Sequence, residues 1–278
     1  MDIFSNFIPE RFYIDCIVNN KKFILPPKKT IDFSDKPISI FNDYTPNYEQ
    51  LNKNPYNILI IQEPNQLFGL HDYAISTKDN FSCILTWGET ILEKCENSIL
   101  LPFGTSFLCE CTEFYENLKI ENKKFDVSFL CGPKKITEGH FLRHKIFSRI
   151  NEVKIDKTWI YQCPSEEKKK CWNSYFHIAI ENSKNKNYFT EKIIDCFLTK
   201  TIPIYWGCSN IEEYFNKDGF IKFNSDEELM HILNNLTPCY YHDRKKVIEE
   251  NYKKALYYAD FFYRLNEILE QIVTTNNI

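Results

Sequence analysis

The stretch that decides the fold lies between residues 175 and 207. It reads YFHIAIENS at 175–183, YFTEK at 188–192 and IPIYWG at 202–207. The alternating apolar residues of the first segment predict a strand, and apolar residues at helical spacing after Thr190 predict a helix that ends before Pro203. Threonine is a favoured N-cap because its oxygen accepts a hydrogen bond from a free amide of the first turn. A strand, a helix and a strand in this order indicate an α/β fold.

The same stretch predicts a ligand site. Open α/β sheets bind ligands at the carboxyl ends of their strands. Helix N-termini attract anions through free amides and the helix dipole. Lys192 adds a positive charge in the first turn of the predicted helix. Together these features indicate a place that holds a phosphate-bearing ligand.

Length and composition exclude several classes of protein. The chain has 278 residues, enough for one large domain or two of ordinary size, and a net charge of −4, which argues against a nucleic-acid partner. No apolar run approaches the ~18 residues of a membrane span, and the N-terminus lacks the features of a signal peptide. The eleven cysteines match neither a disulfide framework nor a zinc site. We therefore expect a cytoplasmic protein with reduced cysteines and no integral membrane segment.

The order of predicted elements divides the chain into two α/β units, 1–122 and 123–278, with the polar segment 119–124 at the boundary. Strands separated by loops and short helices imply parallel sheets. In the first unit we predict strands at 11–18, 38–41, 57–62, 73–76, 82–87 and 98–104 and a helix at 89–95. In the second unit, outside the opening stretch, we predict strands at 125–131, 158–162 and 219–223 and helices at 139–153, 226–236 and 243–273. The last helix carries an aromatic stripe that is typical of a core: Tyr257, Tyr258, Phe261, Phe262 and Leu265.

Several common catalytic motifs are absent from the sequence. The seven glycines form neither G-x-G-x-x-G nor a Walker loop, which largely excludes the standard dinucleotide and P-loop modes. There is no Asp-x-Asp pair to offer adjacent oxygen ligands to a divalent metal. H-E-x-x-H and G-x-S-x-G are missing as well, so metalloprotease and α/β-hydrolase interpretations lose their usual support. Two α/β units with a phosphate-binding feature in the second suggest a group-transfer enzyme.

The segment from Tyr175 to Phe223 resembles the hallmark region of the α-1,3/4-fucosyltransferases, glycosyltransferase family ten, and is most similar to bacterial-type members. The matching segments keep the order and spacing of the family: ENS (181–183), YFTEKI (188–193), IPIYWG (202–207), YF (214–215) and FI (220–221). The resemblance spans about 50 residues, and its motifs are specific to the family.

Two shorter segments extend the resemblance. GHFLRHKIF at 139–147 resembles the family segment that carries a donor-binding arginine, which implies this role for Arg143. IQEP at 61–64, followed by DYAI at 72–75, resembles the region whose glutamate is taken as the catalytic base, which implies Glu63. LPFG at 101–104 fits the element that follows this region in the family.

The resemblance implies a GT-B fold, in which two Rossmann-like domains face each other across a cleft and helices form the C-terminal tail. The domain of residues 1–122 would bind the acceptor, and the domain of residues 123–278 would bind the nucleotide sugar. The implied reaction is inverting, metal-independent transfer of fucose from GDP-fucose to a hydroxyl of a glycan or glycoconjugate, with no cofactor. The N-terminal domain is short for the family, and that domain builds the acceptor site, so the acceptor stays open.

This chemistry gives roles to particular side chains. Inverting transfer needs a base that removes the proton of the attacking hydroxyl, and Glu63 is the candidate, with Glu89 as a second one. The leaving nucleoside diphosphate gains negative charge, which Arg143, Lys192 and the helix start at Thr190 would stabilise.

The remaining predicted donor-binding residues follow from the same motif. Glu191 is expected to bind ribose or sugar hydroxyls, whereas Asn182 and Tyr188 are expected to line the donor pocket. Glu181 is expected to orient these groups or to contact the donor sugar. No metal ligand is predicted.

Other interpretations stay open at this point. The donor could be a different nucleotide sugar, for example UDP-xylose, on the same fold. The chain could also be a catalytically silent module that binds a nucleotide or carbohydrate. Lys192 on its own is typical of a solvated helix, and His140 and His177 are expected to form hydrogen bonds within the fold.

Overall fold

The computed structural model describes residues 1–6, 33–108, 123–162 and 165–276. At residues 165–167 and 169 it describes the backbone only. The described residues form two compact units. The first contains Met1–Gly104, Lys186–Tyr188 and Asp260–Ile278, and the second contains Thr105–Asn185 and Phe189–Ala259.

The first unit is built on a sheet of parallel strands in the order β1-β2-β3-β4-β5. The strands are β1 (Asp2–Ser5), β2 (Ile38–Asn42), β3 (Tyr56–Ile61), β4 (Cys83–Thr86) and β5 (Ser98–Leu100). The helices are α1 (Tyr48–Leu51), α2 (Asn65–Phe68), α3 (Leu70–Ser76) and α4 (Glu89–Lys94). Both faces of the sheet are covered, which explains why the central strands read as continuous apolar runs.

Strand β3 shows how the two faces divide. Successive side chains of a strand point to opposite faces. Ile58 and Ile60 accordingly belong to one core cluster, whereas Leu59 and Ile61 belong to another. All four side chains are almost fully buried, and β3 is the middle strand of the sheet. The strand therefore forms the centre of this unit.

The second unit contains a parallel sheet in the order β10-β9-β8-β6-β7. Its strands are β6 (Lys124–Cys131), β7 (Lys157–Tyr161), β8 (Ser174–Ile180), β9 (Ile202–Trp206) and β10 (Ile221–Lys222). Its helices are α5 (Glu138–Ser148), α6 (Glu191–Leu198), α7 (Asp226–Asn235), α8 (Pro238–His242) and α9 (Lys245–Ala259). The chain adds β7 on one side of β6 and all later strands on the other, so the strand order reverses between β6 and β8.

The last helix, α10 (Phe261–Asn276), packs on the first unit. Phe261, Leu265, Leu269 and Val273 recur every fourth residue, lie on one face of the helix, and join the core cluster that contains Ile58. Burial of each such side chain contributes about 1.5–3 kcal/mol to stability. The predicted ranges 1–122 and 123–278 assign this helix to the second domain, whereas its apolar stripe assigns it to the first unit. The cut at 122/123 adjoins residues outside the described part and stays a prediction.

Most predicted elements are confirmed within one or two residues, but the strand predicted at 98–104 already ends at Leu100 and the helix predicted at 139–153 ends at Ser148. The strand predicted at 73–76 is wrong. These residues end helix α3, whose buried side chains Leu70 and Ala74 are four residues apart on one helix face. Gly69 precedes the helix with φ of +66° and separates it from α2. The predicted strand at 11–18 lies outside the described residues, and the helix predicted at 243–273 is interrupted at Asp260.

Candidate active site

A pocket opens in the second unit at the carboxyl ends of β6 and β8, where the strand order reverses. This is the position at which open α/β sheets bind ligands. The cavity has a volume of about 120 Å³. Its lining includes strand-end backbone and a set of polar or charged side chains: Arg143, Lys168, His177, Glu191, Lys192 and Asp195.

Helix α5 carries Arg143 into this pocket because its first turn packs directly against the end of β8. Thr137 caps the helix, and the amide of Gly139 donates a 3.1 Å hydrogen bond to the carbonyl of Asn182. A Cβ atom at residue 139 would lie 1.8 Å from the carbonyl oxygen of Glu181. Glycine is therefore required here, because any side chain would push the helix away from the strand.

The guanidinium of Arg143 is oriented by two hydrogen bonds. Nε donates to the carbonyl of Ile180 at 3.1 Å, and Nη2 donates to Oδ1 of Asn182 at 2.6 Å. The side chain is mostly buried and lines the pocket. An arginine held in one orientation next to a cavity is suited to bind phosphate oxygens.

Glu181 organises the start of helix α6 and does not line the pocket. Its Oε1 accepts a hydrogen bond from the amide of Thr190 at 2.9 Å, and its Oε2 accepts one from the Thr190 hydroxyl at 2.7 Å. Burial raises the pKa of the Glu181 carboxyl, and the nearby charge of Lys192 opposes this effect. Of the two predicted roles for Glu181, this geometry favours the orientation of its neighbours.

Close packing around Glu181 leaves no room for a side chain at the next strand end. A Cβ at Gly207 would lie 2.3 Å from Cγ of Glu181 and 2.6 Å from the hydroxyl of Tyr205. That hydroxyl in turn contacts Oε1 of Glu181 at 3.4 Å. The glycine of the IPIYWG motif therefore permits the buried carboxyl to reach Thr190.

Lys192 and Glu191 form a connected pair in the first turn of α6. The ammonium of Lys192 donates to Oε1 of Glu191 at 2.9 Å and to Oγ1 of Thr190 at 3.0 Å, and it lies 3.8 Å from Oε2 of Glu181. Burial alone would raise the pKa of Glu191, but the charge of Lys192 and hydrogen bonds from Lys192 and Thr190 lower it. Glu191 is thus held as a carboxylate that accepts hydrogen bonds.

His140 and His177 are both buried next to cationic side chains, and both have lowered pKa values. Burial, together with the charges of Arg143, Lys134 and Lys192, lowers the pKa of His140 to about 4, and its Nδ1 accepts the amide hydrogen of Thr137. Burial, aided by the charge of Lys123, lowers the pKa of His177 to about 3. Nδ1 of His177 lies 2.8 Å from the hydroxyl of Ser128. The expectation that both form hydrogen bonds within the fold is confirmed.

Sequence reasoning missed Asp195 and Lys168. Asp195 lies on the buried face of α6, and its Oδ1 accepts a 2.6 Å hydrogen bond from the hydroxyl of Ser106. Burial raises its pKa well above the usual value. A carboxylate four residues after Glu191 in an otherwise apolar helix is a signal that could have drawn attention to it. Lys168 lies 4.8 Å from the centre of the Phe107 ring at the same pocket, and no sequence pattern pointed to it.

Glu63 belongs to the first unit and follows the carboxyl end of β3. Its backbone is fixed from three sides. Oδ1 of Asp43 accepts the amides of Gln62 and Glu63 at 2.9 and 3.3 Å. The indole of Trp87 donates to the carbonyl of Gln62 at 2.7 Å, and Nε2 of His71 donates to the carbonyl of Glu63 at 3.2 Å. The half-buried glutamate therefore stands on a rigid turn.

Glu89 and Tyr188 also fall in the first unit, although the predicted domain range 123–278 includes Tyr188. Glu89, the second base candidate, is about half exposed and forms an ion pair with Lys186 at 2.9 Å. Tyr188 is fully buried, and its ring packs on Trp87 with a centroid distance of 4.6 Å. Its contact with a donor stays a prediction, since the structure gives its ring a packing role.

Among the described residues, no group of three or more His, Cys, Asp or Glu side chains is arranged to hold a metal ion. Within the same ranges, none of the helices combines the length and the apolar character needed to span a bilayer. The seven cysteines that the structure describes form no disulfide bonds, and six of them are buried.

Comparison with solved structures first defines the fold class of the protein. A solved α1,3-fucosyltransferase in complex with GDP-fucose superposes with a TM-score of 0.54 and 14% identity, and the match covers 94% of this chain and 89% of that one. A second α1,3-fucosyltransferase structure gives a TM-score of 0.51 and 17% identity over 92% of this chain and 80% of that one. The predicted fold class, two Rossmann-like α/β units of the GT-B type with C-terminal helices, is confirmed.

The sequence of the second unit is similar to one family. Residues 140–244 match the model of glycosyltransferase family 10 (fucosyltransferase), C-terminal part, the family that the motifs indicated. The α-(1,3)-fucosyltransferase FucT of Helicobacter pylori is 39% identical over 61 residues, which are 20% of this chain and 13% of that protein. The human 4-galactosyl-N-acetylglucosaminide 3-α-L-fucosyltransferase 9 is 41% identical over 59 residues, 19% and 16% of the two chains. The matched stretches thus span less than a fifth of these relatives.

Proposed function

We propose that the protein is an inverting, metal-independent glycosyltransferase that transfers fucose from GDP-fucose to a hydroxyl of a glycan or glycoconjugate. The observation that carries the proposal is the pocket at the β6–β8 strand ends, which contains the oriented guanidinium of Arg143 and the ammonium of Lys192. The match of residues 140–244 to the fucosyltransferase family model, and the similarity to fucosyltransferases that include a complex with GDP-fucose, support the choice of reaction and donor.

In this proposal the second unit binds the donor. Arg143 and Lys192 bind the diphosphate and stabilise the negative charge that it gains as the sugar leaves. Glu191 accepts hydrogen bonds from ribose or sugar hydroxyls, and Asn182 keeps the guanidinium in place. The amide of Thr190 is engaged by Glu181, and that of Lys192 by the Thr190 hydroxyl. The helix start therefore contributes mainly its dipole, and the two cations provide most of the charge stabilisation.

The proposed chemical step is a single displacement. The carboxylate of Glu63 removes the proton of the acceptor hydroxyl as that oxygen forms a bond to the anomeric carbon. The bond between this carbon and the β-phosphate oxygen breaks, and its electron pair leaves with GDP. Attack from the side opposite the leaving group inverts the anomeric configuration. Glu89 is the weaker candidate for the base because its carboxylate is already paired with Lys186.

A nucleotide screen tests the donor. A ligand that binds only the folded state raises the unfolding temperature, so we expect GDP and GDP-fucose to raise it at concentrations where UDP and UDP-xylose do not. Incubation of GDP-fucose with a panel of glycan acceptors should then release GDP and yield a fucosylated product. A larger rise in unfolding temperature with UDP-xylose would show that the donor is UDP-xylose. Nucleotide binding without transfer or donor hydrolysis would show that the protein is a catalytically silent binding module.

A further inference from the structure

Asp43 follows β2 and lies next to the proposed base, Glu63. None of the motifs in the sequence includes it. Its side chain is completely buried, and its φ is +45°, in the left-handed region. Asparagine and aspartate adopt this conformation more readily than other side chains, at some cost in free energy. A buried carboxyl on strained backbone, immediately after a strand, is a costly arrangement that calls for a reason.

The contacts of Asp43 converge on the end of β3. Its amide donates to the carbonyl of Ile60 at 2.8 Å, and its carbonyl accepts a hydrogen bond from Nδ2 of Asn6. Its Oδ1 accepts the amides of Gln62 and Glu63. Asp43 therefore ties the end of β2 to the first two residues that follow the last β3 residue, Ile61.

The second carboxyl oxygen has a different environment. Oδ2 of Asp43 is buried and has no hydrogen-bond partner within residues 1–6, 33–108, 123–162 and 165–276. A buried, unsatisfied oxygen disfavours the ionised form, since a charge without partners is poorly solvated there. Burial raises the pKa of Asp43 to about 7, the hydrogen bonds from the two amides oppose this, and the charge of Glu63 adds to it. His71, which is bonded to the carbonyl of Glu63, is the other titratable group at this turn, and burial lowers its pKa.

We propose that Asp43 is a positioning residue for Glu63: its Oδ1 fixes the backbone of the base, and its own proton controls the charge that the base faces. The inference rests on the proposed function, in which Glu63 is the base. When Asp43 loses its proton, a second negative charge lies beside Glu63, favours protonation of that carboxyl and makes it a stronger base. Transfer should therefore accelerate as Asp43 ionises.

Two substitutions separate the two parts of the proposal. Asp43→Asn keeps an oxygen that accepts the two amides and suits the left-handed backbone, but it cannot ionise. Asp43→Ala removes the acceptor. We expect kcat to fall at least tenfold in Asp43→Ala and to stay within about threefold of wild type in Asp43→Asn at pH 6. GDP binding, which uses the second unit, should change less than twofold in both.

The dependence of kcat on pH distinguishes this role from a merely structural one. In wild type we expect kcat to rise through an inflection near pH 7, and in Asp43→Asn this inflection should be absent. The proposal is overturned if Asp43→Ala has wild-type kcat or if the two pH profiles coincide, and the second comparison stands even if Asp43→Ala does not fold. Glu63→Gln in the same assay separates the premises: retained turnover overturns the base and the positioning role together. If Glu63→Gln is inactive while both Asp43 variants keep the kcat and the pH profile of wild type, only the positioning role of Asp43 is overturned.

Discussion

The guanidinium of Arg143 donates a 2.6 Å hydrogen bond to Oδ1 of Asn182, and this bond joins helix α5 to the end of β8 at the pocket. The two residues are separated by 39 positions in the chain. Their contact depends on Gly139, which allows the first turn of α5 to approach the backbone at Glu181 and Asn182. The orientation of the arginine is therefore a property of the strand-helix packing.

We expect Arg143→Ala to weaken GDP binding. Charge-assisted hydrogen bonds contribute about 1.5–3 kcal/mol, so their loss should raise the Kd about 10- to 100-fold. Isothermal titration calorimetry with GDP measures this change directly. Lys154→Ala is the matched control, because it removes an exposed positive charge outside the pocket lining. Equal affinities of Arg143→Ala and wild type would contradict the phosphate-binding role.

We expect Glu63→Gln to lose at least 100-fold in kcat while it keeps its affinity for GDP-fucose. General-base catalysis typically contributes 10²- to 10⁴-fold, and the amide cannot accept the proton of the acceptor hydroxyl. Glu89→Gln is the control because it changes the same chemical group in the same unit. We expect it to retain transfer, since its carboxylate serves an exposed ion pair. The reverse pattern of activity would assign the base to Glu89.

We expect Gly139→Ala to destabilise the protein strongly. The added methyl would lie 1.8 Å from the carbonyl oxygen of Glu181, a backbone atom that cannot move away independently. Overpacking of this kind typically costs about 1–3 kcal/mol or more. Gly132→Ala is the matched control, because a Cβ there meets nothing within 4 Å. Urea unfolding of both variants should show a clear loss for residue 139 and little change for residue 132.

The outline of the second unit could be predicted because local sequence determines it. The alternation in β8, the cap at Thr190 and the apolar face with Ile193 and Phe197 each act over a few residues, and each is present in the structure. The segments that carry the resemblance lie on these same elements, so the resemblance could single out Arg143, Glu191 and Lys192, which line the pocket. The hydrogen bond between Arg143 and Asn182 was not predicted.

Features that depend on long-range contacts could not be predicted. Asp43 accepts hydrogen bonds from amides that lie 19 and 20 residues further along the chain, and its backbone is in the left-handed region. Neither feature is visible in the sequence pattern. Of the predicted stripe, Phe261 and Leu265 are in the core of the first unit, whereas Tyr257 is exposed. The sequence did not show the sheet on which the stripe packs. At residues 73–76 a short apolar run was interpreted as a strand, but these residues end a helix that buries Leu70 and Ala74 on one face.

We expect transfer to be insensitive to metal removal. In the proposed mechanism the charge on the departing diphosphate is stabilised by Arg143 and Lys192, which take the place of a divalent cation. Dialysis against EDTA should leave kcat unchanged, and later addition of MgCl₂ or MnCl₂ should not increase it. Activity that is lost in EDTA and restored by a divalent metal would refute metal independence while leaving the donor assignment intact.

The last prediction concerns the pH dependence of stability. The pKa of Asp43 is about 7 in the folded protein against an ordinary value of 3.8. Between these values the folded state binds more protons than the unfolded state, so the free energy of unfolding falls as pH rises. The loss amounts to at most about 4 kcal/mol. Asp43→Asn has no such proton, so the stability of this variant relative to wild type should increase from pH 4 to above pH 7. Urea unfolding at pH 5 and pH 8 measures the difference, with Asp218→Asn, which removes an exposed carboxyl in the second unit, as the control. A difference between Asp43→Asn and wild type that stays constant over this window would show that Asp43 is ionised throughout.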